Sequence, residues 1–258
     1  MKEIQLLFLL LIIGIFLFSI ERAKRGYVYP LKSLPGIDAI SDGIGRAIET
    51  GRSVLYLLGR RGVSGTDSAE TLAGLGILSH VSKIVAEKGA DMIVVASFSE
   101  IVAIAQATLK EAYLLAGKPE EYNPSMVYFI PGKGGQWGYH LSVMGMIHRL
   151  KPAATFLLGG FKSDALMCVE NARKVGSFII SGTGAASIPQ MPYFMTHSDY
   201  FMMGEEFLAT GAYVSNDPVQ MGSIGGQDII RGILIIIAII SIFLGPFGIY
   251  PLKFLKGV

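Results

Sequence analysis

Two uncharged apolar runs, one near each end, constrain this chain more than any other feature. Ile4 to Ile20 (IQLLFLLLIIGIFLFSI) and Gly232 to Leu252 (GILIIIAIISIFLGPFGIYPL) contain no Asp, Glu, Lys or Arg. At about 1.5 Å per helical residue, runs of this length approach or exceed a hydrocarbon core about 30 Å thick. A helix inside a soluble fold normally keeps one polar face, and neither run has one. Both therefore read as membrane helices. The chain is 51% hydrophobic and 16% charged, whereas soluble domains carry about a quarter charged residues. Much of the difference sits in these two runs.

The first run has the apolar core of a signal peptide, but no small-x-small cleavage site follows it. The next residues are Ser19, Ile20, Glu21 and Arg22, so an uncleaved anchor is expected. The second helix is expected to start near Asp228 and to end or kink near Gly245. Pro246 and Pro251 cannot continue a regular helix. Tyr250 and Lys253 would then lie at the interface. The glycines of Met221–Asp228 suggest a sharp turn or hinge before the membrane. Arg22, Lys24, Arg25 and Lys32 follow the first run, and only Lys2 precedes it. The positive-inside rule then puts the middle of the chain in the cytoplasm and the protein in the cell membrane. Arg231, Lys253 and Lys256 around the second run argue mildly the other way. The expected division is 1–25 as anchor, 26–227 as cytosolic domain, and 228–258 as second helix and tail.

Within the domain, short apolar runs alternate with helical patterns. The candidate strands are Ser53–Leu58, Met92–Ala96, Met126–Ile130, Ala154–Leu158, Phe178–Ser181 and Tyr200–Met203. They are apolar on both faces and bounded by Gly, Pro or Ser, as strands of a parallel sheet are. Helices are expected over about 37–50, 69–88, 100–116, 136–149, 164–175 and 205–213. Asp67 or Ser68, Ser99 and Ser163 are candidate caps, and Gly89, Gly117 and Gly176 are candidate stops. This alternation implies an α/β fold: a Rossmann-like, doubly wound, mainly parallel sheet flanked by N- and C-terminal transmembrane helices. Small residues such as Gly74, Gly76, Gly145, Ala103 and Ala105 suit close packing inside the domain or a subunit contact.

In such sheets, ligands bind beyond the carboxyl ends of the strands. The loops expected there carry Arg60, Arg61, Ser64 and Thr66 after the first strand, and Ser97 after the second. Gly132, Lys133 and Gly134 follow the third, Lys162 and Ser163 the fourth, and Ser181, Gly182 and Thr183 the fifth. Backbone N–H groups at helix starts, with basic side chains nearby, can hold an anion or phosphate. The same glycines and hydroxyls also serve ordinary strand-to-helix turns. Gly132-Lys133-Gly134 is not a Walker A motif, and no complete GxGxxG opens a helix after the first strand.

Other chemistry is poorly supported. A single cysteine, Cys168, excludes a four-cysteine metal site within one chain. His140 and His148 lie two helical turns apart, and there is no HExxH. His197-Ser198-Asp199 spells a triad in order, but adjacent residues do not converge as a triad must. A net charge of +2 gives no case for nucleic acid as a partner. No metal is expected, and no particular cofactor is indicated.

Lys110–Asn123 (KEAYLLAGKPEEYN), Lys151–Phe156 (KPAATF), Met203–Phe207 (MGEEF) and Pro218–Asp228 (PVQMGSIGGQD) resemble an uncharacterised prokaryotic family of membrane-anchored proteins. The resemblance runs from about Pro30 to Asp228. It implies one α/β domain beside membrane helices, and no activity or catalytic residue transfers with it. Two functions remain open, and the first is favoured because no catalytic or ligand motif is complete. One is a membrane-tethered scaffold or assembly subunit, self-associating or joined to a membrane-complex partner. The other is an enzyme or sensor for a nucleotide or other small phosphorylated ligand at the strand carboxyl edge.

Overall fold

The computed structural model describes residues 2–27, 35–65, 68–132, 136–161, 164–184, 191–215 and 217–244. The elements begin with helices α1 (Lys2–Lys24) and α2 (Pro35–Thr50), followed by strand β1 (Val54–Gly59) and helix α3 (Ser68–Lys88). Then come β2 (Met92–Ala96), α4 (Ser99–Leu115), β3 (Val127–Phe129), α5 (Gln136–Leu150) and β4 (Ala154–Gly160). The chain continues through α6 (Asp164–Lys174), β5 (Phe178–Thr183), α7 (Met191–His197), β6 (Tyr200–Met203), α8 (Glu205–Ser215) and α9 (Pro218–Leu244). Two compact units result: Lys32–Ser215, and Met1–Leu31 together with Asn216–Val258.

The first unit is the α/β domain. Its six strands run in the order β3-β2-β1-β4-β5-β6, and every neighbouring pair is parallel. This is the strand order of dinucleotide-binding sheets, with the direction of winding reversing between β1 and β4. Side chains alternate across the sheet with period two. Tyr56 and Leu58 of β1 pack with α2, α3, α4 and α8 on one face. Leu55 and Leu57 pack with α5, α6 and α7 on the other. Both faces are thus covered, which is why β1, β4 and β5 are buried along their whole length.

The edge strands depart from that expectation. Tyr128 and Phe129 of β3 are exposed, as are Tyr200 and Met203 of β6. Each edge strand has a neighbour on one side only, so apolar composition alone did not distinguish edge from centre. Helix α7 was also not expected. Its segment is short and lacks the apolar repeat that reveals longer helices. Ser99 does not cap α4; it is the first helical residue, and Phe98 occupies the cap position without a side-chain hydrogen bond. Ser68 Oγ turns back to the Gly65 carbonyl at 2.9 Å. Asp67 and Ser163 lie outside the described residues. Gly89, Gly117 and Gly176 do follow their helices with positive φ, the left-handed conformation that ends a helix most cheaply at glycine.

The second unit pairs α1 with α9. Both are long and apolar enough to cross a membrane. Helix α9 begins at Pro218, ten residues before the start expected from the sequence, and runs 27 residues without a break. The glycines expected to form a hinge instead face α1. A Cβ on Gly222 would strike the backbone of Ile20, and one on Gly226 would come within 3.1 Å of the Phe16 ring. Small residues four apart let two helix backbones approach closely. The tight helix pair offsets the poor helix propensity of glycine. Gly245, Pro246, Tyr250, Pro251 and Lys253 lie outside the described residues.

Candidate functional site

The carboxyl ends of β1 and β4 close on each other through glycine. Gly59 has φ +78°, and a side chain there would run into the Gly160 carbonyl. The Arg60 amide donates to that same carbonyl at 3.0 Å. The ladder shifts register between Leu57 and Gly59, a bulge that re-aims the residues after it. Arg60 and Arg61 therefore leave the sheet where its winding reverses, the place where open α/β sheets take ligands.

On the β2 and β3 side, Ser97, Gly132 and Arg60 come together. Ser97 is buried, and its Oγ donates to the Gly59 carbonyl at 2.8 Å. The Gly132 amide donates to the Ser97 carbonyl at 3.3 Å. A Cβ on Gly132 would sit 3.1 Å from Ser97 Cβ and 3.8 Å from Arg60 Cβ, so the loop after β3 lies directly against both. Among the described residues, the Arg60 Nε and Nη1 atoms are shut off from solvent and have no hydrogen-bond partner. Buried donors are rarely left so, and a guanidinium is an efficient binder of carboxylate or phosphate.

On the β4 and β5 side, Arg61 and Glu70 converge on Gly160. The Arg61 stem covers Gly160 closely enough to exclude any side chain there, and Glu70 Oε2 lies 3.4 Å from the same position. Thr183 Oγ1 donates to Glu70 Oε2 at 3.5 Å. Glu70 is buried in the first turn of α3 and was not singled out from the sequence. An acid in a first turn ordinarily answers the helix dipole, so only its position against Gly160 and Thr183 marks it.

The remaining expected residues fall into three groups. Ser64 is exposed in the loop after β1. Ser181 and Gly182 serve packing: Ser181 Oγ shares a 2.6 Å hydrogen bond with Ser198 Oγ, and a Cβ on Gly182 would meet the Phe207 ring at 2.6 Å. Thr66, Lys133, Gly134, Lys162 and Ser163 lie outside the described residues. Asp199 is occupied structurally; its carboxylate accepts from the Ile179 amide at 2.8 Å and pairs with Arg173 at 3.1 Å. His148 Nε2 meets Asn171 Oδ1 at 2.8 Å. Cys168 is buried in the core. Among the described residues, no three His, Cys, Asp or Glu side chains gather as metal ligands would.

These features define a doubly wound, parallel α/β protein with, among the described residues, two helices long and apolar enough to cross a membrane, and with Arg60 and Arg61 at its winding reversal. The chain belongs to the family described as "Domain of unknown function (DUF6754)", whose model matches residues 1–253. No curated protein and no solved structure matches it.

Proposed function

We propose that this chain is a membrane-anchored binding protein whose α/β domain holds a small phosphorylated or otherwise anionic ligand at the carboxyl edge of the sheet. One observation carries the reading. Arg60 keeps two buried guanidinium donors without an acceptor among the described residues, at the winding reversal. A buried, unsatisfied donor costs about 1–3 kcal/mol, and a ligand oxyanion would supply the missing acceptors. Ser97 and Gly132 shape the wall beside Arg60. Arg61, Glu70 and Thr183 form the opposite side. The cluster Arg22, Lys24 and Arg25 at the end of α1 supports a cytoplasmic position for the domain in the cell membrane.

The scaffold reading stands second. It draws on the β3 edge, where Tyr128 and Phe129 are exposed. An open sheet edge presents unpaired backbone groups to another chain. The sequence alone favoured a scaffold because no ligand motif is complete; the Arg60 environment reverses that preference.

Full-length protein in mild detergent should be melted with inorganic phosphate, pyrophosphate, ATP, GTP and NAD. A ligand at 100 times its Kd stabilises by about 2.7 kcal/mol. The expected result is a raised melting midpoint with at least one of these, absent in Arg60→Ala. An unshifted midpoint across the panel, with a discrete oligomer in native mass spectrometry, would favour the scaffold.

A further inference from the structure

We infer that the anion bound at the carboxyl edge is a terminal phosphate, free or as a monoester, held at the start of α3 between Arg60 and the hydroxyl of Thr71. The inference rests on the reading of this edge as an anion site. Thr71 is fully buried, and among the described residues its Oγ1 has no hydrogen-bond partner. A helical threonine commonly returns its hydroxyl to the carbonyl one turn back. Thr50, Thr108 and Thr210 do so here, at 2.7, 2.9 and 2.8 Å, and Thr71 does not. It is the fourth residue of α3, and helical side chains lean toward the N-terminus of their helix. Its hydroxyl thus lies over the first turn, where backbone N–H groups have no acceptor within the helix.

Arg60 and Thr71 share a side of the loop that joins β1 to α3. Helix α3 packs between α8 and α4. Ala73 and Gly76 lie against Gly211 of α8. At about 100° per residue, Thr71 is on the opposite side of the helix, toward α4. Arg60 leaves β1 beside Ser97 and Gly132, and α4 begins two residues after Ser97. Glu70 lies against Gly160 and Gly184, at the ends of β4 and β5, so the buried carboxylate stands on the other side. The chemistry of the donors selects the anion. A carboxylate has two coplanar oxygens, which one guanidinium edge satisfies. Here the donors come from a strand end, a helix side chain and the first-turn amides of α3, whose dipole adds positive potential. A terminal phosphate presents three unesterified oxygens in a tetrahedral array, one for each direction. A bridging diester presents two.

The test titrates full-length protein in mild detergent, by calorimetry, with inorganic phosphate, AMP and ribose 5-phosphate. NAD and succinate serve as anions without a terminal phosphate. At least one of the first three should bind, and NAD and succinate should not. Tightest binding of inorganic phosphate identifies the free ion as the ligand; tighter binding of AMP or ribose 5-phosphate identifies an ester. Thr71→Val should weaken that binding about tenfold or more, as losing a hydrogen bond to a charged group does. Thr71→Ser, which keeps the hydroxyl, should retain it. The ligand-free melting midpoint of Thr71→Val should not fall, because the lost hydroxyl had no partner. A fall, or failure to fold, gives that hydroxyl a structural partner and overturns its role, as does unchanged phosphate affinity in Thr71→Val. Binding of NAD or succinate that is lost in Arg60→Ala overturns the terminal phosphate and leaves the anion site standing. Binding of none of these compounds overturns the anion site as well.

Discussion

The Tyr56 hydroxyl donates a 2.7 Å hydrogen bond to the backbone carbonyl of Gly74. One residue is in the central strand β1 and the other in the helix that follows it. The contact needs glycine, because a Cβ at position 74 would run into the Leu158 carbonyl of β4. Burial holds the phenol well above its usual pKa, so it remains a donor at all physiological pH values. The small residues of α3 serve this close approach; a Cβ on Gly76 would similarly come within 2.9 Å of the Gly211 carbonyl oxygen of α8.

Gly74→Ala is accordingly expected to destabilise the domain by about 1–3 kcal/mol, the usual cost of overpacking. Tyr56→Phe should cost about 1 kcal/mol, a typical net hydrogen bond. Chemical denaturation of the two variants beside the wild type checks the order. Equal stability of Gly74→Ala and wild type would show that the backbones have room to separate.

Arg60→Met tests whether Arg60 serves binding or folding. Removing two unsatisfied buried donors should leave the ligand-free melting midpoint unchanged or raise it by a few degrees, at about 2–4 °C per kcal/mol for a domain of this size. Sites kept for function often oppose stability in this way. A large fall in the midpoint would assign Arg60 a structural role.

Gly222→Leu should open the α1–α9 hairpin, since the Ile20 backbone cannot move aside as a flexible side chain could. Spin labels at Leu9 and Ile235, both exposed, report this directly. The narrow distance distribution of the wild type is expected to broaden and lengthen in the variant. Gly232→Leu, which has open space around it, is the matched control.

His80 supplies a pH dependence. Burial lowers its pKa from the ordinary 6.5, Lys83 acts in the same direction, and Glu87 opposes them. The unfolded chain therefore binds the proton more readily than the folded one. Stability should be full above the ordinary value and decline as pH falls through it toward the lower folded value. The melting midpoint between pH 7.5 and pH 5 should drop less in His80→Gln than in the wild type. Identical slopes would exclude His80 as the source.

Much of the fold was legible because its signals are local. Met92–Ala96 and Tyr200–Met203 are strands with the bounds read from their apolar runs. Apart from α9, the longer helices differ from their expected limits by only a few residues, since periodicity and terminal glycines act within one or two turns. The site was partly legible. Arg60, Arg61, Ser97 and Gly132 follow strands, and strand ends can be read. The neighbours of Glu70 come from β4 and β5, and those of Ser181 and Gly182 are Ser198 and α8, so none of these contacts could be read from the local sequence.

By itself, the sequence determined the two terminal apolar helices, the alternation of strands and helices, and the basic strand ends. Each rests on neighbours within a few residues. Tertiary structure alone decided the strand order, the meeting of Gly59 with Gly160, and the register that sets Gly222 against Ile20. Those depend on pairs far apart in the chain. Glycine marks each such contact only by having no side chain, so the partner that requires its absence becomes visible only after folding.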